Sequence, residues 1–250
     1  METQQKLQEE EYQYPYHYIP VCEDELFHQH RYWAWGFRYL GGLKLVTDLC
    51  EKQSAESLLD LGCGDGRFLS EIYQRWEDKR LLGVDYSERA IALANALNPE
   101  IEYKAVDILS DQLDETFDIV TLIEVIEHIR PEHLELFIQR VVSCIKPKGR
   151  LVLTVPHINK KVSKKHFQHF DSSKLYELLS PYFEELQFYP FDRSNRILKW
   201  WFRLIGGHGR YYLITWPWLL SAFYRYYLST CLYGIEEAEC ERIACVARRK

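Results

Sequence analysis

Glu124, Glu127 and His128 stand within about one turn of one another in Ile123-Glu124-Val125-Ile126-Glu127-His128-Ile129-Arg130-Pro131. If the chain turns helically after Val125, the three side chains can converge on one point. Two carboxylates and an imidazole make a partial shell for a hard or borderline divalent cation such as Mg²⁺ or Mn²⁺. Without a metal, the imidazole can act as a general base, a device worth roughly 10²–10⁴ in rate. A purely structural role is the third reading of the group. Downstream, Val155-Pro156-His157 leads to Lys165-His166-Phe167-Gln168-His169-Phe170-Asp171, an H-x-x-H loop expected to cross the same rim. Either His166 or His169 could complete the shell, with His169 preferred. His128 and His169 are the two candidate bases, and Glu127 is placed with them as catalytic.

A second constellation lies upstream. Leu58-Leu59-Asp60-Leu61-Gly62-Cys63-Gly64-Asp65-Gly66-Arg67-Phe68 runs from apolar residues into a turn with glycine at every second position. Such a strand–turn–helix bares backbone N–H groups at the strand's carboxyl end. The spacing is G-x-G-x-G, with Arg67 where a dinucleotide fingerprint would begin its last step, which argues against NAD. The next strand, Leu81-Leu82-Gly83-Val84-Asp85, ends on an acid whose carboxylate can accept both hydroxyls of a ribose.

The elements that must hold these residues alternate. Strands are expected over Ser57–Gly62, Lys79–Asp85, Ile101–Asp107, Phe117–Val125, Arg150–Val155, Glu185–Phe191 and Glu241–Lys250. Helices are expected over Gly66–Trp76, Glu88–Leu97 behind an Ser87 cap, Pro131–Ile145, and Ser172–Leu179 behind an Asp171 cap. Repeated βα units imply a Rossmann-like α/β fold, a mainly parallel sheet of seven strands covered by helices on both faces.

On these residues the chain resembles the class I S-adenosylmethionine-dependent methyltransferases. Leu58–Phe68 is similar to their motif I, and Gly83-Val84-Asp85-Tyr86-Ser87 to their ribose-binding motif. The likeness extends over about Ser57 to Tyr189, and it implies that the last strand is antiparallel. It further implies that Gly62, Gly64 and Gly66 let the methionine part of S-adenosylmethionine approach the backbone, and that Asp60 helps position its ammonium. Asp85 and Tyr86 would hold the ribose, and Asp107-Ile108 would meet adenine. Glu124 is counted with the cofactor residues as well as with the metal set of Glu124, Glu127, His128 and His169.

The E-x-x-E-H run with a later histidine resembles two groups within that superfamily: the ubiquinone-type O-methyltransferases and the metal-dependent enzymes that methylate the terminal ribose 2′-hydroxyl of small RNAs. Both acceptors offer adjacent hydroxyls that a metal can chelate. The RNA group typically carries T-T-P-N after its fifth strand, where this chain has Thr154-Val155-Pro156-His157. The expected function is therefore methyl transfer to oxygen on a small-molecule, glycan or lipid-like acceptor with neighbouring hydroxyls. An RNA terminal ribose, transfer to nitrogen or carbon, and a non-catalytic cofactor-binding partner subunit are the alternatives.

Composition narrows the partners. A net charge of −6 gives no general attraction for nucleic acid, although Lys160, Lys161, Lys164 and Lys165 form a local basic patch. The cysteine count of 7 is odd and includes no C-x-x-C, so reduced thiols and a cytoplasmic location are expected. Met1–Glu11 is polar and acidic, unlike a signal peptide. The longest apolar run, Tyr211–Tyr224, is broken by Pro217 and is shorter than the ~20 residues of a membrane-spanning helix.

Two segments fall outside the expected core of residues 56–191 and 241–250. Residues 1–55 form an N-terminal cap, and residues 192–240 form an aromatic-rich insertion holding Trp200, Trp201, Trp216 and Trp218. Tyr12–Tyr39 and Asp192–Tyr233 are expected to build a lid and the acceptor pocket. The mixture of aromatic and basic residues over 197–233 also suits peripheral contact with a membrane.

Overall fold

The computed structural model describes residues 21–23, 25–28, 36–76, 78–206 and 216–250. Among the described residues, apart from the short ribbon of β1 (Val21–Glu23) and β2 (Leu26–His28), the strands form one sheet. They are β3 (Ser57–Leu61), β4 (Arg80–Asp85), β5 (Glu102–Ala105), β6 (Phe117–Ile123), β7 (Ile145–Pro156), β8 (Phe183–Arg193) and β9 (Cys240–Arg249). Their order is β5-β4-β3-β6-β7-β9-β8. The pairs among β3 to β7 are parallel, and β9 runs antiparallel between β7 and β8. The expected seven-stranded fold and its antiparallel last strand are both present.

Helices cover both faces because the strand residues alternate between two apolar sides. Leu58, Leu81, Ile119 and Val152 pack in one cluster with α1 (Gly36–Glu51), α2 (Arg67–Tyr73) and α3 (Glu88–Leu97). Leu59, Leu82, Val120 and Leu153 pack in the other, with α4 (Pro131–Ser143) and α5 (Ser172–Leu179). The two caps read from sequence are made: Ser87 Oγ accepts from Ala90 N at 3.1 Å, and Asp171 Oδ1 from Lys174 N at 2.8 Å.

The insertion after β8 supplies α6 (Arg196–Gly206) and α7 (Pro217–Tyr227). Leu198, Leu220, Tyr224 and Tyr227 join the same cluster as α1, so both additions to the core thicken one face of the sheet. Their anchor is polar and buried. Asp192 accepts from Arg38 Nε at 2.7 Å, Arg242 Nε at 3.0 Å and Tyr227 Oη at 2.9 Å, which ties α1, β8, β9 and α7 together. Among the described residues, no helix is long and apolar enough to cross a membrane.

β7 starts at Ile145, five residues before the expected Arg150. Lys148-Gly149 reads as a turn into the strand, yet Ile145 pairs with Phe117 and the register shifts there, so this stretch is an irregularity inside one strand.

Candidate active site

All five parallel strands of the chain's middle point their carboxyl ends the same way, and the loops that follow them share one rim. A cavity of about 420 Å³ opens there. Leu61 and Gly62 line it after β3, Asp85 and Tyr86 after β4, Asp107 and Ile108 after β5, and Glu124 and His128 after β6.

Gly62 has φ +79°, which L side chains rarely adopt, and a Cβ there would stand 2.6 Å from Val125 Cγ2. The glycine thus lets the first turn close against the loop after β6. Asp85 is oriented by two backbone donors, Gly64 N at 3.0 Å and Ser87 N at 2.9 Å, one on each carboxylate oxygen. Asp107 Oδ1 accepts from Leu109 N at 3.0 Å, and Ile108 and Leu109 give that wall of the cavity an apolar surface.

Asp60 sits beside this floor without lining the cavity, and Thr121 Oγ1 donates to it at 2.6 Å. Burial, opposed by the Thr121 hydrogen bond and reinforced by the charge of Asp85, pushes its carboxyl up to about 7.

The other end of the cavity meets a group of acids and histidines. Glu124 takes φ +56°, in the left-handed region that a non-glycine residue occupies only under local constraint. The chain then makes a short 3₁₀ turn, Ile126–His128. Each of Glu127, His128 and His166 offers a ligating atom within 4.8 Å of the others. His166 belongs to the loop after β7, which Phe167 N ties back to Glu127 O at 2.9 Å. Glu127 is fully buried, and neither of its carboxylate oxygens has a hydrogen-bond partner among the described residues. Burial, then the charge of Glu124, holds its carboxyl well above the usual range.

Hydrogen bonding fixes the histidine tautomers. A backbone carbonyl only accepts, so His169 Nδ1 donates to Lys160 O at 2.9 Å and leaves Nε2 bare. That bare nitrogen accepts from His166 Nδ1 at 2.9 Å. His128 Nδ1 donates to Lys165 O at 3.1 Å. The Nε2 atoms of His128 and His166 are therefore the ones left with lone pairs. All three rings are held neutral: burial first of all lowers each pKa, and brings His166 down to about 3.

The structure thus gathers Gly62, Asp85, Tyr86, Asp107, Ile108, Glu124 and His128 around one cavity, whereas Asp60, Gly64, Gly66, Glu127 and His169 stand outside its lining. His169, the preferred fourth ligand, has both ring nitrogens engaged, and His166 takes the place beside Glu127. Glu124 is not within the 4.8 Å group but adds its negative charge to it. His157 is an anchor, 3.2 Å from Glu237, which also accepts from Ser172.

Arg130, His133 and Phe167 also line the cavity, beyond the residues that the sequence motifs mark. Arg130 and His133 flank Pro131 at the start of α4, three residues apart, a spacing that could have marked them. No described residue of Tyr12–Tyr39 or Asp192–Tyr233 lines this cavity. Most of Tyr12–Tyr39 lies outside the described residues.

Comparison with known proteins places this geometry. A family model described as "Methyltransferase domain" matches residues 32–215. Trans-aconitate 2-methyltransferase of Shigella flexneri serotype 5b is 32% identical over 104 residues, which are 42% of this chain and 40% of that protein. The match thus spans about two-fifths of that relative's length. Among solved structures, the N-methyltransferase NodS of Bradyrhizobium japonicum WM9, in complex with S-adenosyl-L-homocysteine, aligns with a TM-score of 0.57 at 16% identity. That alignment covers 85% of this chain and 87% of NodS. A SAM-dependent methyltransferase of Archaeoglobus fulgidus aligns at 0.56 and 17% identity, covering 83% and 94%. The family match covers well over half of the sequence, so the chain belongs to the methyltransferase-domain family, and its seven-stranded sheet has the Rossmann-like methyltransferase fold.

Proposed function

We propose that this chain transfers a methyl group from S-adenosylmethionine to an oxygen of a small-molecule, glycan or lipid-like acceptor that carries neighbouring hydroxyls. One observation carries the reading: His128 lines the cofactor-sized cavity and also stands with Glu127 and His166 in the 4.8 Å cluster. Cofactor and activating groups thus meet at one side chain.

The residues present fit the cofactor. Asp85 presents its carboxylate on the cavity wall where a ribose would lie, Asp107 has a second oxygen for an exocyclic amine, and among the described residues buried Asp60 has no cation partner, as a site awaiting an ammonium would. When bound, S-adenosylmethionine supplies the electrophilic methyl group, which leaves sulfur as the acceptor oxygen attacks in line. The chain's own work is alignment, worth several kcal/mol, and removal of the hydroxyl proton. His128 Nε2 has the free lone pair that can take it.

A divalent cation also fits this cluster, held by Glu127, His128 and His166. The buried, unpartnered Glu127 carboxylate is the feature a cation would satisfy. Its chemistry there would be to lower the pKa of a coordinated hydroxyl. The same equipment favours oxygen over nitrogen as acceptor: a neutral amine already has a nucleophilic lone pair, whereas an aliphatic hydroxyl needs its proton drawn off. The names of the relatives include transfer to nitrogen, so the acceptor atom is part of the proposal.

The test is a calorimetric titration of Mn²⁺ into protein saturated with S-adenosylhomocysteine, for wild type, Glu127→Gln and His166→Gln. It is paired with a screen of labelled-methyl transfer to catechols, sugars and hydroxylated amphiphiles. Binding lost in both variants supports the cation. Turnover without Mn²⁺ binding leaves His128 as the base. Cofactor binding with no transfer to any hydroxyl acceptor, including an RNA 3′ end, would overturn transfer to oxygen and leave transfer to nitrogen or carbon, and no transfer to any acceptor in a lysate would indicate a non-catalytic partner subunit.

A further inference from the structure

We propose that α6 and the start of α7 dock this chain on the surface of an anionic lipid bilayer. The proposal is independent of the reading of the active site.

α6 has two apolar strips. One faces inward: Leu198 is buried in the core cluster, and the Trp201 ring lies 5.6 Å from that of Phe223 on α7. The other faces out. Ile197, Trp200 and Leu204 are 57%, 57% and 58% exposed, and their spacing of three and four residues puts them on one line along the helix. Arg196, Lys199 and Arg203 repeat the same spacing one position earlier, and all three are exposed. A cationic strip therefore runs beside an apolar one on a helix whose back is fixed to the protein. At the head of α7, Trp216 and Trp218 are also more than half exposed, and their rings stack at 5.7 Å. Indole rings and apolar side chains flanked by Lys and Arg are the composition that settles at the headgroup–acyl boundary.

Charge selects the partner. From Arg193 to Ile235 the sequence contains no Asp or Glu, while Arg193, Arg196, Lys199, Arg203, Arg210 and Arg225 all fall within it. The whole chain carries −6, so this segment opposes the sign of the rest. An anionic bilayer satisfies the apolar and the cationic strip together. Docking of a second copy through the same face would set cation against cation. The helix is too short to span a bilayer and would lie in its plane.

The test is co-flotation of the full chain with phosphatidylcholine vesicles and with mixed phosphatidylcholine–phosphatidylglycerol vesicles. The variants are Trp200→Ser/Leu204→Ser and Lys199→Glu/Arg203→Glu. All four positions are exposed and none lines the cavity, so melting temperature and S-adenosylhomocysteine affinity should match wild type and serve as the folding control. Wild type should float with the mixed vesicles and far less with the neutral ones, and added salt should weaken the binding. Loss of two cations at about fivefold each lowers binding about 25-fold even before the reversed charge is counted. The apolar pair should lose binding at constant salt dependence. Equal binding to both vesicle types, no binding to either, or variants that float like wild type would overturn the proposal. So would a dimer in sedimentation equilibrium that Trp200→Ser/Leu204→Ser dissociates, since the face would then belong to a second copy.

Discussion

His166 donates its Nδ1–H to Nε2 of His169, 2.9 Å away, and this one bond decides which nitrogen His166 turns to Glu127. The Lys160 carbonyl sets the tautomer of His169, and His169 sets that of His166. Outer partners of this kind typically change metal affinity or activity by about 10–100-fold when removed. His169→Ala should therefore lower kcat within that range and leave the KM for the cofactor near wild type. In His169→Gln the amide oxygen can still accept from His166 Nδ1, so much of the rate should return. Steady-state kinetics with ¹⁵N shifts of the His166 ring check this. Equal loss in both variants, with the ring tautomer unchanged, would reduce His169 to a packing residue.

Asp60 carries a pH signature. Its carboxyl is pushed up to about 7, first by burial and then by Asp85, against the Thr121 hydrogen bond. An acid raised in the folded state binds its proton more tightly there than in the unfolded chain. Its ionisation therefore costs stability as pH rises through the range up to about 7. If the ionised form receives the cofactor's ammonium, binding below that pH must first displace the proton. Affinity for S-adenosylhomocysteine should then be about tenfold weaker at pH 6 than at pH 8, the expectation for one linked proton. Asp60→Asn should bind weakly with no such slope. Calorimetry across that range decides it, and a flat wild-type profile would remove Asp60 from the ammonium site.

The sequence carried the fold because its signals were local. Ser87 and Asp171 are short polar side chains placed just before helical patterns, and both make their caps. Asp85 was legible as the acid closing β4, where parallel strands gather ligands. The H-x-x-H loop was legible as a rim element, but not which ring would face inward. That choice depends on backbone carbonyls at Lys160 and Lys165, in a loop without periodicity. Arg38 and Asp192, 154 residues apart, meet only through the sheet, and nothing near either residue announces the other. The insertion's aromatic content was visible as composition, whereas the packing of its described helices beside α1 follows from tertiary contacts that Leu198, Tyr224 and Tyr227 make.

Gly62 is required twice over, by its backbone and by its neighbour. A side chain at φ +79° costs about 1–2 kcal/mol. The 2.6 Å approach to Val125 Cγ2 adds overlap with a valine that is itself packed against the core. Gly62→Ala should lower stability by more than the backbone cost alone and weaken S-adenosylhomocysteine binding. Adding Val125→Ala should relieve the overlap and leave the backbone part, giving a favourable coupling in a double-mutant cycle measured by urea unfolding. Simple additivity would mean that the loop after β6 shifts to absorb the methyl group.

Asp192 holds the insertion to the core, and its removal should be costly in a specific way. It is 1% exposed, and burial opposes its ionisation, but Arg242 and Arg38 outweigh that and keep the carboxyl below its usual range. For an acid with a depressed pKa, the stabilisation is present above the unfolded pKa and is lost as pH falls through the carboxylate range. Asp192→Asn keeps the shape and deletes the charge, leaving the buried Arg242 guanidinium without its main counter-ion. Breaking a buried pair in this way costs about 3–5 kcal/mol. Arg38 suffers less, because Glu241 Oε2 still accepts from it at 2.7 Å. Arg242→Met in the Asp192→Asn background should therefore restore part of the stability, since it removes the uncompensated charge and leaves a side chain suited to the apolar surface of Phe191. Urea unfolding at pH 7 of the two single variants and the double variant measures the coupling. A double variant no more stable than Asp192→Asn would mean that the loss came from the Tyr227 hydrogen bond, and not from Arg242.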